Sequence, residues 1–229
     1  MAAVLSNKDI YQILESEIVT LKIRPGESLT ENGLCERFHV SRTPIRGVLQ
    51  RLQENRFVDI VPHKSTTVTA INLDIATQRI YERVAVESMV FRDFIRSCTP
   101  TDVERVRFFL QEMEQFAADL SDVNQLDINY VLTLDHQMHN VWFTATGKHF
   151  LWDRMTRPDP DYSRLMHLDI VGAKNFVDVH AEHKEMMALI DARKTDTIEE
   201  LMSRHLYGGV RRIGSQLFSE EYRDFFQKT

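Results

Sequence analysis

The chain has 229 residues, of which 43% are hydrophobic and 27% charged, a balance that excludes a disordered polymer and fits one or two folded domains. Its formal net charge is −6, but nine basic and eight acidic residues precede residue 71, so the acidity lies in the later part and does not exclude nucleic acid. No apolar run approaches the roughly 18 residues of a membrane span, and the N-terminus lacks the pattern of a secretory leader. We therefore expect a cytoplasmic protein with no membrane partner.

Three short helices are predicted between Ser6 and Asn55. Ser6 can cap the first, in which apolar residues recur at helical spacing as far as Lys22. After a break at residues 24–26, Thr30 can cap the second helix. Ser41 can cap the third, whose apolar residues occupy one face while hydrogen-bond donors occupy the other. That polar face carries Arg42, Thr43, Arg46 and Gln50.

A β-hairpin is predicted directly after these helices. Residues 57–61 and 66–69 are rich in β-branched side chains, and residues 62–65 can form the turn between them. Five basic residues oppose two acidic ones between residues 41 and 64, which is the local charge that phosphate groups attract. Three helices and a hairpin make a winged helix-turn-helix, so we predict a DNA-binding domain over residues 1–70.

The segment from residue 21 to residue 68 resembles the DNA-binding domain of GntR-type regulators, chiefly through PGE at residues 25–27 and VSRTPIR at residues 40–46. Guanidinium groups at a helix N-terminus can enter a major groove and pair with guanine. The resemblance implies that Arg42 and Arg46 read bases and that Thr43, Arg51 and Lys64 contact phosphates or sugars of double-stranded DNA. The sequence departs from the family pattern at Gly47, where an acidic residue is usual, and at Ser65, where the wing usually has glycine.

The remainder, residues 74–229, is predicted to be an all-helical bundle. The helix candidates are 74–97, 101–119, 124–145, 148–168, 175–193 and 195–217. Asp74 and Thr101 are candidate caps for the first two, and the Pro-Asp-Pro of residues 158–160 is expected to kink or interrupt the fourth. The predicted fold class is therefore mainly α, with an N-terminal winged helix-turn-helix (three helices and a β-hairpin wing) followed by an all-α helical bundle.

Four polar residues lie on stripes of these helices that otherwise point inward. Asp135 and His139 are one helical turn apart at the edge of an apolar stripe, and His183 and His205 lie on the inward stripes of two later helices. Each histidine alone would most simply be a hydrogen-bonded core residue. Together, three imidazoles and one carboxylate are an ordinary ligand set for a divalent transition metal, zinc in the first place and nickel or manganese as alternatives.

The helical region also resembles the FCD domain, the sensor of the FadR-like branch of GntR regulators. The resemblance lies in LDHQMHNVWFTATG at residues 134–147, in EHKEMMALIDARKTDTIEELMSRHL at residues 182–206, and in the Arg-x-x-x-Glu that begins at Arg83. It implies that Asp135, His139, His183 and His205 are the metal ligands. Lys148 stands where the family commonly has asparagine.

The sequence thus predicts a homodimeric repressor, not an enzyme, that binds a pseudo-palindromic operator and responds to a small carboxylate effector at or near the metal. Arg83 is the first candidate to pair with that carboxylate and Arg212 the second, although either could form an ordinary ion pair. A metal-dependent hydrolase with Glu182 as general base is one alternative, but the sequence has no HExxH, nucleophile elbow or phosphate loop. A regulator whose metal is purely structural is the other.

Overall fold

A computed structural model describes residues 5–62, 64–118, 128–173, 176–214, 219–220 and 222–227. The chain divides into two compact units, and the first combines Met1–Ala76 with Pro158–His167 and Gly214–Thr229. The second contains Thr77–Arg157 and Leu168–Ile213. The sequence predicts a single division of the chain, between residues 70 and 74. That prediction does not anticipate that two later segments group with the first unit.

The first unit contains the three predicted short helices and a small sheet. Its elements are α1 (Asn7–Val19), β1 (Ser28–Leu29), α2 (Glu31–Phe38), α3 (Arg42–Glu54), β2 (Val58–Val61) and β3 (Ser65–Val68). The sheet is antiparallel with the order β1-β3-β2, and Val58 lies opposite Val68. Sequence reasoning missed β1, because so short a strand has no alternating pattern; it pairs with β3 through Ser28 and Thr67. The predicted winged helix-turn-helix is thus present.

Side-chain capping explains where the first two of the three helices begin. The Ser6 hydroxyl accepts from the backbone N–H of Asp9, and the Asp9 carboxylate accepts from Ser6 in return. Thr30 accepts from the N–H of Gly33 at 3.1 Å. Ser41 occupies the cap position of α3 without a side-chain hydrogen bond. The apolar faces that these caps orient meet in one buried core, whose fully buried members include Ile10, Leu14, Ile18, Ile45, Leu52, Phe57 and Val58.

Residues 69–72, called the linker below, are held by both of the later segments of the first unit. Ile71 is fully buried; its N–H donates to the carbonyl of Phe225 at 2.7 Å, and its carbonyl accepts from the N–H of Gln227 at 3.0 Å. The N–H of Asn72 donates to Asp161 Oδ1 at 2.8 Å, and Arg164 Nη1 donates to the carbonyl of Thr69 at 2.5 Å. The linker is therefore a bonded part of the first unit.

Seven α-helices are described from residue 73 to residue 213. They are α4 (Leu73–Ser97), α5 (Pro100–Ala118), α6 (Ile128–Ala145), α7 (His149–Met155), α8 (Tyr162–Ala173), α9 (Phe176–Ala192) and α10 (Ile198–Ile213). The predicted fourth helix is thus two, because residues 158–160 interrupt it. Parts of the predicted 101–119, 124–145, 175–193 and 195–217 helices lie outside the described residues. No helix in the described part of the chain is long and apolar enough to span a membrane.

Two predicted caps were wrong, each placed slightly too late in the chain. Asn72 rather than Asp74 caps α4, since Asn72 Oδ1 accepts from the N–H of Ile75 at 3.1 Å. Thr99 rather than Thr101 caps α5, and it exchanges hydrogen bonds with Asp102. Pro100 is a residue favoured at the first position of a helix, which explains why α5 starts earlier than the periodic pattern suggested. The helices of the second unit enclose an apolar core around Trp142, Phe143, Phe91, Phe94 and Met138.

Candidate DNA-binding surface and metal centre

The N-terminal end of α3 presents the two predicted base readers and one of the three predicted phosphate contacts. Arg42, Thr43 and Arg46 are all exposed there, while Ile45 on the opposite face is fully buried. Arg42 Nη2 donates to Asn32 Oδ1 and Arg46 Nε to Glu31 Oε1, both at 2.9 Å. Both acceptors belong to the first turn of α2, so the helix before the turn holds the two guanidinium groups at the solvent face. Sequence reasoning missed both partners, because they lie on a different helix from the arginines.

The two other predicted phosphate contacts have different surroundings. Arg51, also exposed on α3, stacks on Tyr11 of α1, with Cζ at 4.3 Å from the ring centroid. Lys64 is exposed in the turn between β2 and β3, where it follows His63, which lies outside the described residues. Besides its predicted role at the DNA, Arg51 thus links α3 to α1, whereas Lys64 lies at the wing tip.

Neither departure from the family pattern disturbs the local fold. Apart from its chain neighbours and the backbone of its own helix, a Cβ atom placed on Gly47 would find no atom within 4 Å, so packing does not require glycine at this exposed position of α3. Ser65 forms the first pair of the wing with Val61, and the antiparallel register continues from there to Val68. The wing therefore forms with serine at its tip.

Four residues from three helices of the second unit converge at the candidate metal centre. Asp135 and His139 come from α6, His183 from α9 and His205 from α10, and one ligand atom from each lies within 4.8 Å of all the others. The three histidines are at most 8% exposed. His183 Nε2 lies 3.0 Å and His139 Nε2 3.9 Å from Asp135 Oδ1. The structure therefore brings all four sequence-predicted ligands together.

Two glutamates lie behind this centre. Glu87 Oε2 of α4 is 2.8 Å from His139 Nδ1, and Glu182 Oε2 of α9 is 2.9 Å from His205 Nδ1. Sequence reasoning had named Glu87 only for its spacing to Arg83 and Glu182 only as a general base. The contact between Glu87 and His139 joins residues 52 positions apart, and no local pattern signals it.

Several ionisable side chains of the centre have pKa values far from their usual range. Burial lowers the pKa of His183 to about 4, which keeps its imidazole neutral at pH 7. Burial would raise the pKa of Glu87, but Arg83 and His139 outweigh it and hold the pKa at about 2. Burial also opposes ionisation of Asp135, yet the charge of protonated imidazole beside it holds the pKa of its carboxyl well below the usual value. A divalent metal binds a carboxylate and neutral imidazoles, so it would take the place of such a proton.

The hydrogen bonding of the histidines fits a metal ion. Among the described residues, the buried Nε2 of His139 and both ring nitrogens of His183 have no hydrogen-bond partner. The 3.0 Å contact of His183 with Asp135 is out of line for a hydrogen bond. Buried nitrogens are rarely left unpaired, so their convergence on one carboxylate suits an ion better than a polar core. Imidazole and carboxylate ligands match zinc, nickel or manganese.

The two candidate effector cations each have a carboxylate partner. Arg83 is 7% exposed, and its Nε donates to Glu87 Oε1. Arg212 Nη2 lies 2.9 Å from Asp169 Oδ2 of α8, a residue that is only 1% exposed. The guanidinium of Arg212 also lies over Gly208, where a Cβ atom would clash with Nη1. The effector role of both arginines stays a prediction.

The winged helix-turn-helix and the helical domain behind it define a DNA-binding transcription regulator. The family model of the bacterial regulatory proteins of the gntR family matches residues 6–68, and that of the FCD domain matches residues 80–208. The chain belongs to the GntR family and carries an FCD domain.

Similarity to known proteins extends over nearly the whole chain. HTH-type transcriptional repressor RspR of Escherichia coli K12 is 26% identical over 223 residues, which are 94% of each protein. HTH-type transcriptional repressor GlaR of the same strain is 22% identical and covers 88% of this chain and 93% of its own length. The solved structure of E. coli McbR/YncC shares the fold with a TM-score of 0.68 at 15% identity, over 94% of this chain and 99% of that one. RspR and GlaR are transcriptional repressors rather than enzymes, so the hydrolase interpretation was wrong.

Proposed function

We propose that this protein is a cytoplasmic repressor whose affinity for its operator is controlled by a small organic acid bound at or beside a divalent metal ion. The ion would be held by Asp135, His139, His183 and His205. The observation that carries the proposal is the buried convergence of these four ligands, with ring nitrogens that lack hydrogen-bond partners among the described residues. Zinc is the first choice of ion, followed by nickel and manganese.

The number of ligands supports the effector part of the proposal. Four protein ligands leave one or two positions open on an ion that accepts five or six, and a carboxylate oxygen is a suitable ligand for such a position. A cation near the centre would pair with the rest of the acid. Arg83 and Arg212 are the candidates, and each would have to share or exchange its present partner, Glu87 or Asp169.

The DNA-binding part rests on the exposed end of α3. Arg42 and Arg46 would read base edges in the major groove, while Thr43, Arg51 and Lys64 would contact the backbone. One such helix reads only a few base pairs, so we propose that two copies of the chain bind a pseudo-palindromic operator. Two named repressors among the relatives favour repression as the mode of action.

The test begins with operator fragments selected from random DNA by the wild-type protein. Their affinity is then measured by fluorescence anisotropy with zinc-loaded protein, with chelator-treated protein, and with zinc-loaded protein plus each of a panel of small mono-, di- and tricarboxylates. At least one acid should weaken or strengthen binding to the operator fivefold or more, the usual range of allosteric coupling, and only in the zinc-loaded protein.

Two outcomes separate the competing interpretations. If zinc raises the melting temperature but no acid in a broad panel changes DNA affinity, the metal is structural and the effector part of the proposal is wrong. If the protein binds neither zinc nor nickel nor manganese, the metal part is wrong. Sedimentation velocity on free protein and on the operator complex tests the dimer, which monomers at micromolar concentration in both states would contradict.

A further inference from the structure

We infer that Glu87 and Glu182 are positioning residues of the metal centre, each of which holds the Nδ1 atom of one histidine so that its Nε2 atom faces the ion. This inference rests on the proposed metal site and adds two residues that contact the ligands rather than the ion. It also assigns Arg83 a part in the centre, because its Nε donates to Glu87 Oε1 and so holds that carboxylate in place.

The geometry at Glu87 fixes the tautomer of His139. Glu87 is fully buried, and its Oε2 lies 2.8 Å from His139 Nδ1. The Glu87 carboxylate accepts from Arg83 at one oxygen and from His139 Nδ1 at the other, so in the neutral imidazole the proton lies on Nδ1 and the lone pair on Nε2. That Nε2 atom is buried, has no hydrogen-bond partner in the described part of the chain, and points toward Asp135 Oδ1 at 3.9 Å.

Glu182 does the same for His205 from a different helix. Its Oε2 lies 2.9 Å from His205 Nδ1, and it is itself 8% exposed. Because Glu182 directly precedes His183, one turn of α9 supplies both a ligand and the support for a ligand on α10. His205 Nε2 is thereby left to the centre. Histidine ligands of metals generally donate their second ring nitrogen to such a carboxylate.

Core packing alone does not account for these carboxylates. A completely buried glutamate loses its hydration, and the structure offsets that loss with Arg83, whose Nε donates to Glu87 Oε1. A leucine at residue 87 would avoid the need for both charges. The buried chain Arg83–Glu87–His139 is therefore better explained by orientation of His139. His183, by contrast, has no carboxylate behind Nδ1 among the residues that the structure describes.

The test measures zinc affinity of the full-length protein by competition with a chromophoric chelator. Glu87→Gln and Glu182→Gln keep the shape of the side chain, but an amide can donate as well as accept, so it no longer fixes the tautomer. Each variant should bind zinc about 10- to 100-fold more weakly than wild type. The long-range ¹⁵N–¹H spectrum of the metal-free wild type should show protons on Nδ1 of His139 and His205, and each variant should change its own histidine.

Two other glutamates serve as matched controls. Glu82 on α4 pairs with Arg79, and Glu185 on α9 pairs with Arg204, yet neither contacts a candidate ligand. Glu82→Gln and Glu185→Gln should leave zinc affinity unchanged. Since Glu87→Gln removes the carboxylate that pairs with buried Arg83, the double variant Arg83→Met/Glu87→Gln provides a second measurement, with circular dichroism to verify the fold. It should lose affinity to the same extent.

The outcomes are distinguishable. If wild type binds zinc and the folded Glu182→Gln and Arg83→Met/Glu87→Gln proteins bind it equally well, the two glutamates are not positioning residues, while the metal site stands. If the control variants lose as much affinity as the test variants, the effect is a general loss of charge and the inference is wrong. If wild type binds no zinc, nickel or manganese, the proposed metal site fails and this inference fails with it.

Discussion

Replacement of Arg164 by methionine should destabilise the first unit far more than the equivalent change at Arg56. Arg164 belongs to the segment of residues 158–167 and Arg56 pairs with that segment, but the two arginines differ in burial. The Arg164 side chain is fully buried, whereas that of Arg56 is 49% exposed. Arg164 donates to the carbonyls of Pro160 and Thr69 and to the Thr69 hydroxyl. Arg56 forms ion pairs of 3.4 and 3.3 Å with Asp159 and Asp161.

The magnitude follows from these contacts. Hydrogen bonds from a charged donor are each worth about 1.5–3 kcal/mol, and Arg164→Met leaves two carbonyls without this donor. Two effects reduce the loss of stability. Burial already opposes the charge of Arg164, since it lowers the pKa of this side chain to about 10. Methionine also refills most of the space. We expect the free energy of unfolding to fall by about 2–4 kcal/mol. Arg56→Met should cost no more than about 1 kcal/mol, since exposed ion pairs contribute little.

Urea denaturation of the full-length variants gives the overall loss, and amide hydrogen exchange localises it. The N–H groups of Ile71 and Asn72 are hydrogen-bonded to Phe225 and Asp161 in the native protein. A loss of about 2 kcal/mol implies that both amide protons exchange roughly 30-fold faster or more in Arg164→Met than in wild type. In Arg56→Met both should exchange at nearly the wild-type rate. Equal, small losses in both variants would show that buried Arg164 does not hold the linker.

Three further predictions concern the two sites and the response to pH. Zinc at about 100 times its dissociation constant should stabilise the fold by roughly 2.7 kcal/mol and raise the melting temperature by about 5–11 °C in wild type and in the exposed-site control His149→Ala, but not in His139→Ala. Arg46→Ala should weaken binding to the selected operator roughly 5- to 150-fold and leave binding to scrambled DNA nearly unchanged; equal weakening on both, with a flatter salt dependence, would make Arg46 a backbone contact. The hydrogen bond from Arg37 lowers the pKa of Glu17 below its unfolded value, so this carboxylate stabilises the fold above about pH 4.5 and the stabilisation is lost as pH falls through the lower, native pKa. Acid titration followed by circular dichroism should show a shallower loss for Glu17→Gln, and an identical curve would contradict the assignment.

Features that depend on periodicity could be predicted from the sequence. The amphipathic helices of the winged helix-turn-helix, the wing, and the inward position of the four candidate metal ligands all follow from helical or alternating spacing together with the resemblance to a known family. The exact helix starts could not, because the choice between Asn72 and Asp74 as cap depends on which side chain reaches an N–H group.

Features that join distant parts of the chain were beyond the sequence. The support of His139 by Glu87 spans 52 residues, and the bond from Arg164 to Thr69 spans 95. A buried glutamate or arginine leaves no periodic signal that distinguishes it from a surface one. The partners of Arg42 and Arg46 on α2 were missed for the same reason, since a helix-turn-helix motif predicts the crossing of two helices but not which side chains meet.

The bonding of the linker has a consequence for exchanging parts between regulators. A DNA-binding fragment that ends at Ala76 would lose three hydrogen-bond partners of the linker. These are the Phe225 carbonyl and the Gln227 N–H, which bond Ile71, and the Arg164 guanidinium, which bonds the Thr69 carbonyl. Fused to the sensor domain of another regulator, this fragment would regain these hydrogen bonds only if that domain supplied equivalent groups. A chimera that preserves the first unit should therefore carry the two later segments along with Met1–Ala76.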